Sequence, residues 1–150
     1  EIDGPPEVLQ ASVRQAADGT LVLKAADAEL MGHAIKLETK TGGIPNIGYW
    51  VNKDDYVQWP VLLTKPGTFD VAVNFACEPG SEGSECVMTI GDRDYSGTVI
   101  ATGGWGDFQT RKGGQITLDT PGPRTIAVKA KSKPGMAVIN LRSITLKPAQ

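Results

Sequence analysis

The chain is poor in the residues from which catalytic centres are most often built. Its 150 residues hold one histidine, His33, and two cysteines, Cys77 and Cys86. A Ser-His-Asp triad, and most histidine-based acid–base schemes, would have to use His33. No Gly-x-Ser-x-Gly motif accompanies it, so His33 reads as structural. One histidine and two cysteines do not complete a zinc set. Long apolar runs are missing as well: nothing approaches the roughly 20 residues of a membrane span. No signal-peptide pattern stands at the N-terminus. The chain opens on Glu1-Ile2-Asp3, which reads as the start of a piece cut from a longer polypeptide. Nor is there a surplus of positive charge. With 15 basic and 17 acidic residues the net charge is −2, which leaves no basic footprint for nucleic acid. Neither nucleic acid nor a membrane is expected as a partner.

Glycine and proline are plentiful instead. Eighteen glycines and ten prolines punctuate short apolar runs, a pattern that favours β-sandwiches and barrels over helical bundles. Strand-like segments fall at 20–25, 33–39, 55–63, 67–76, 85–90, 94–100, 115–118, 124–130 and 137–146. Alternation is clearest in Thr68-Phe69-Asp70-Val71-Ala72-Val73-Asn74-Phe75, where Phe69, Val71, Val73 and Phe75 share one face. Lys65-Pro66-Gly67 and Pro121-Gly122-Pro123 are turn chemistry. Asp27–Met31 reads as a short helical or irregular piece. The expected fold is all-β, a two-sheet antiparallel β-sandwich. Residues 1–19 read as a linker or the tail of a preceding catalytic domain plus a lead-in strand, and 20–150 as the sandwich.

Three motifs that could carry chemistry read more simply as structure. Asp92-Arg93-Asp94-Tyr95-Ser96-Gly97 opens like a calcium loop, but the acid due six residues after Gly97 is Gly103. It is expected to be a hairpin turn. Asp54 and Asp55 are neighbours, and neighbours on a strand point to opposite faces, so they cannot flank one glycosidic bond. They read as a polar turn entering a strand. Cys77 and Cys86 flank the turn-rich Glu78–Glu85 segment between two strand-like runs. A hairpin there would bring the thiols within bridging distance, and a disulfide is expected, against the reading of two unpaired core cysteines. A bridge would fit an oxidising compartment.

The aromatic residues carry the functional signal. Trp59 lies in an alternating apolar strand and reads as core. Trp105 lies in Gly103-Gly104-Trp105-Gly106-Asp107, where flanking glycines leave the indole room to face solvent. Tyr49-Trp50 follows Gly48; in an extended chain one ring faces in and the other out. Exposed aromatic rings are broad contact surfaces with little entropy to lose, and sugar C–H faces stack on them while hydroxyls need amides. Tyr49 or Trp50, together with Trp105 and Asn140, forms the expected ligand-binding set.

The order of these motifs resembles a known family. Gly42-Gly43, Asn46-Ile47-Gly48-Tyr49-Trp50, Asp55-Tyr56-Val57-Gln58-Trp59-Pro60-Val61 and Lys65-Pro66-Gly67-Thr68-Phe69 are similar to the first half of family 6 and family 35 carbohydrate-binding modules. Thr102–Thr110 resembles their Gly-Gly-Trp segment, and Asn140-Leu141-Arg142-Ser143-Ile144-Thr145-Leu146 their closing strand. The resemblance implies a jelly roll that binds glycans through loops at one edge, with no catalysis. It carries over the sugar-clasping rings to Tyr49 and Trp105 and the hydrogen-bonding asparagine to Asn140. Trp50 stands where these modules usually have an aliphatic residue, so the stacking ring is Tyr49 or Trp50. Their structural calcium is not carried over. Its expected ligand positions read here as Lys24, Ala26 and Arg142, which offer no hard oxygen side chains. No cofactor is expected. The variant motifs also resemble modules appended to bacterial α-L-fucosidases and sulfatases, and Glu1-Ile2-Asp3-Gly4-Pro5-Pro6 is similar to the exit from a family 29 fucosidase domain. That implies a monomeric C-terminal accessory module, attached to its parent catalytic domain and secreted, periplasmic or at the cell surface. The alternative is a structural or docking domain of such an enzyme with no glycan site.

Overall fold

The computed structural model describes residues 13–39 and 43–149. In chain order the strands are β1 (Val13–Arg14), β2 (Leu21–Lys24), β3 (Glu29–Met31), β4 (Lys36–Glu38), β5 (Asn46–Gly48) and β6 (Tyr56–Leu63). They continue with β7 (Gly67–Ala76), β8 (Glu85–Ile90), β9 (Arg93–Thr98), β10 (Gln109–Leu118), β11 (Gly122–Ala130) and β12 (Asn140–Pro148). One 3-10 turn, Ala25–Asp27, interrupts them, and the described residues contain no α-helix. The strands form two sheets. One runs β1-β6-β11-β8-β9, with β3 also on β6; the other runs β10-β7-β12-β5-β4, with β2 also on β12. Every pairing is antiparallel except the short β1–β6 ladder. The chain is a two-sheet β-sandwich, as its punctuation and alternation predict.

The core follows from period-two patterning. In β6, Val57, Trp59, Val61 and Leu63 point inward; in β7, Phe69, Val71 and Phe75 meet them from the other sheet. Fully burying such side chains stabilises the fold by about 1.5–3 kcal/mol each. Trp59 satisfies its indole N–H on the Lys24 carbonyl at 2.8 Å, which ties one sheet to the other. Val73, on the same face as Phe75, is only half-buried, because it stands beside an unfilled part of the interior.

Several boundaries differ from the sequence reading. Residues 27–31 supply the end of the 3-10 turn and then β3, an edge strand. Asn46–Gly48, outside the strand-like segments, forms β5. β10 begins at Gln109 rather than 115, because Gly113-Gly114 marks a bulge, not a strand end. The register shifts between Lys112 and Gln115, with Gly114 at φ 87°. The expected linker 1–19 lies largely outside the described residues, and so do the fucosidase-like Glu1–Pro6 and Gly42. Within that stretch, Val13 and Arg14 pair with Val61 and Leu62, and Gln15 accepts hydrogen bonds from the backbone of Thr64 and Lys65.

The expected disulfide is a correction. β7 and β8 are not a hairpin: β7 pairs with β10 and β12, and β8 with β9 and β11. The segment between them crosses from one sheet to the other. Cys77 and Cys86 are both free thiols. Backbone bonds between Cys77 and Thr102 hold Cys77. Burial, with the neighbouring Cys77 and Glu85, pushes the Cys86 thiol up to about 12, so it stays protonated.

Candidate glycan-binding site

One end of the sandwich gathers three of the four expected site residues. β12 pairs Leu141, the neighbour of Asn140, with Ile47, two residues before Tyr49. Asn140 Nδ2 donates to the Trp105 carbonyl at 3.0 Å. Trp105, on the β9–β10 loop, is thus tied to the strand end that flanks Tyr49. Asn140 Oδ1 accepts no hydrogen bond among the described residues, which leaves an acceptor for a ligand hydroxyl.

The Tyr49-Trp50 alternative is resolved by the backbone. Tyr49 adopts a left-handed conformation, φ 53°, which is uncommon for a non-glycine residue and marks a turn. The turn sends the two rings apart. Trp50 is 0 % exposed; its indole donates to the Asp55 carbonyl at 2.8 Å and its own carbonyl accepts from Val138. Trp50 is a core residue, and its place among the ligand-binding residues is corrected. Tyr49 is 51 % exposed. The Lys36 ammonium sits 4.1 Å from its ring centroid, which leaves the other face of the ring to meet a ligand. A Cβ at Gly48 would lie 2.2 Å from Glu38 Oε1, the oxygen that Asn46 Nδ2 bonds at 2.9 Å, so a larger residue there would displace the Glu38 carboxylate.

The Trp105 loop is built by small contacts that the sequence encodes locally. The Thr102 hydroxyl accepts from the Cys77 N–H at 3.0 Å and reaches the Gly104 carbonyl at 3.1 Å. Asp107 Oδ2 accepts from the Gly103 N–H at 2.7 Å and from Gln109 Nε2 at 2.9 Å. A Cβ on Gly103 would come within 2.5 Å of that carboxylate, so the glycine is required for the close approach. The outcome for Trp105 is intermediate: it is half-buried, with part of the ring packed against the core. An aromatic anchored in this way is held rigid while keeping an open edge.

Next to Trp50 lies a buried anion. Asp55 accepts from the backbone N–H groups of His33, Ala34 and Ile35 at 3.2, 3.1 and 3.0 Å. Burial pushes its carboxyl up, but those three donors and nearby His33 outweigh burial and bring it below its ordinary 3.8. Asp55 therefore does more than open a strand: it holds the segment leading into β4. Asp54 stays exposed beside Lys53.

The positions at which the resemblance implies calcium do not fit a cation. The Lys24 carbonyl is occupied by Trp59. The Arg142 guanidinium lies 3.8 Å over the Phe108 ring, at the β12 bulge between Leu141 and Ser143. The Asp92–Gly97 segment is the β8–β9 turn and the strand that follows it, with Gly91 at φ 62°. Among the described residues no three His, Cys, Asp or Glu side chains cluster to hold a metal.

Solved structures of carbohydrate-binding modules share this fold. A family 35 module from Clostridium thermocellum matches with a TM-score of 0.70 at 18 % identity, over 87 % of this chain and 98 % of that one. The C-terminal family 6 module of a marine laminarinase from Zobellia galactanivorans matches at 0.68 and 18 %, over 85 % and 98 %. A module of Cellvibrio mixtus lichenase 5A, solved in complex with cellotriose, matches at 0.65 and 22 %, over 86 % and 97 %. No family model and no curated protein matches the chain.

Sequence reasoning missed Lys36. Its contact with Tyr49 arises because β4 pairs Lys36 with Gly48, a relation between strands that no local pattern announces.

Proposed function

We propose that this chain is a non-catalytic glycan-binding module whose site is Tyr49, Trp105 and Asn140. One observation carries the reading: Asn140 bonds the Trp105 backbone, and its neighbour Leu141 pairs with Ile47 two residues before Tyr49, so three groups far apart in sequence share one end of the sandwich. The exposed face of Tyr49 and the open edge of Trp105 take the apolar face of a sugar ring. Asn140 Oδ1 accepts a hydroxyl proton, and Lys36 donates at the rim. The fold shared with glycan-binding modules supports this assignment. The module serves a parent catalytic domain in the same chain, of α-L-fucosidase or sulfatase type, as an exported C-terminal accessory unit that works as a monomer.

The partial burial of Trp105 favours one rival, a docking domain whose indole serves structure alone. A glycan array probed with the isolated module, then with Tyr49→Gly and Trp105→Ala, separates the two. Binding by the wild type is expected, with each variant losing about 1.5–3 kcal/mol of affinity, the worth of a buried aromatic surface. Far-ultraviolet circular dichroism should show both variants folded. An unliganded wild type across the array, or variants that bind like it, would sink the proposal in favour of docking.

A further inference from the structure

The interior of the sandwich is not filled at one side. A half-open cavity of about 450 Å³ lies between the sheets where their edge strands β9 and β10 face each other. Its walls are largely apolar and come from both sheets: Val73 and Phe75 of β7, Met88 of β8, Val128 of β11, Ile144 of β12, with Arg111 and Lys112 of β10 lining it as well. That volume is in the range of small-molecule sites. At roughly 30 Å³ for a water-sized group it holds on the order of 15 such groups.

The registers show why it is open. Across the β8–β9 ladder Cys86 faces Gly97 and Met88 faces Tyr95. Cross-strand partners share a face, and Cys86 and Met88 line the cavity, so the inward positions of β9 are Tyr95 and Gly97. Gly97 puts no side chain into the space, and a Cβ built there meets no atom within 4 Å. On β10 the residue opposite Val73 is Arg111. An apolar strand pattern would place a hydrophobic side chain on that inward face; here it carries a guanidinium. Among the described residues Arg111 pairs with no carboxylate; it donates to Gln109 Oε1 at 2.6 Å. By contrast Arg93, the inward cation of β9, is engaged by Asp119 at 3.3 Å. The Tyr95 hydroxyl reaches to 3.5 Å from the Thr117 carbonyl and spans the gap between the edges.

We propose that this cavity is a second binding site, for an amphipathic carboxylate of the medium-chain fatty-acid class, with the alkyl chain between the sheets and the carboxylate on Arg111. The apolar walls select the chain. The Arg111 guanidinium at the mouth selects the anion, through a charge-assisted, bidentate pair. This site is separate from the Tyr49–Trp105 end and does not depend on the glycan reading.

Dodecanoate and dodecanol, each below its aggregation concentration at neutral pH, are the probes, read by calorimetry and by the melting temperature. Dodecanoate should bind and raise the melting temperature of the wild type, as any ligand of the folded state does. Gly97→Leu fills the empty inward position without backbone strain. It should fold, melt no lower than wild type, and lose dodecanoate binding by about tenfold or more, a change of about 1.4 kcal/mol. Arg111→Gln should weaken dodecanoate by a similar factor and leave dodecanol unchanged. Equal affinity of the wild type for dodecanol and dodecanoate overturns the carboxylate assignment. A wild type indifferent to both overturns the site, as does Gly97→Leu binding like wild type. Inward charges on edge strands also prevent edge-to-edge association. If Arg111→Gln dimerises in sedimentation while the wild type ignores dodecanoate, Arg111 is such a guard and the proposal falls.

Discussion

Tyr49 and Trp50 are adjacent, yet one is a surface ring and the other a core ring. The left-handed Tyr49 backbone makes that difference. The two should separate cleanly on mutation. Trp50→Ala empties a fully buried site and removes a donor, and chemical denaturation should show a loss of about 3–5 kcal/mol. Tyr49→Gly removes the exposed ring and suits the positive φ, so stability should stay within about 1 kcal/mol of wild type. Asp55 acts at the same scale through charge. Its folded pKa lies below the ordinary 3.8. Its contribution is therefore complete above the unfolded value and lost as pH falls through the folded one. The melting temperature should hold from neutrality down to about pH 5 and fall below about pH 4. Asp55→Asn should melt lower at pH 7 by the cost of under-satisfied buried N–H groups, about 1–3 kcal/mol, and show a flatter acid limb. A variant with the wild-type acid profile would remove Asp55 as the cause.

At the scale of elements, the Thr102–Asp107 loop is a self-bonded unit that presents Trp105. Asp107→Ala deletes the acceptor of Gly103 and Gln109. The loop is exposed, so the expected stability loss is modest, about 0.5–1.5 kcal/mol. Faster hydrogen exchange at Gly103 with weaker glycan binding is the expected pair of results; unchanged exchange would mean that Asn140 and Thr102 suffice to hold the loop. The strands themselves were unevenly legible. β7 and β8 could be bounded from sequence alone because alternation and turn residues agree there. β5 could not: three residues, Asn46-Ile47-Gly48, are too few to show a period, and their strand character comes from partners Leu141 and Leu37. The glycine pair in β10 had two local meanings, a strand end or a bulge, and only the β7 partners decide between them: Ala72 for Lys112 and Asp70 for Gln115.

For the whole molecule, stability rests on the inter-sheet core. With Lys24, Ala26 and Arg142 at the positions where calcium would be held, chelation with EDTA should shift the melting temperature by less than about 1 °C, where stripping a structural ion would cost several degrees. A clear drop would reveal oxygen ligands elsewhere on the molecule. The same global view bears on the cysteines. The segment joining Cys77 to Cys86 passes between sheets, so proximity in sequence did not become a hairpin.

The amino-acid sequence by itself determined the fold class, the inward sets of β6 and β7, the place of Trp59 in the core and the glycine-framed loop around Trp105. These are consequences of period-two alternation and turn chemistry, which are local and physically unambiguous. The tertiary structure alone decided which of Tyr49 and Trp50 faces solvent, that Asn140 grips the Trp105 backbone, that Lys36 covers one ring face, and that the strands before Cys77 and around Cys86 belong to different sheets. Each depends on strand order and register, and register is set by partners tens of residues away, whose identity no local pattern carries.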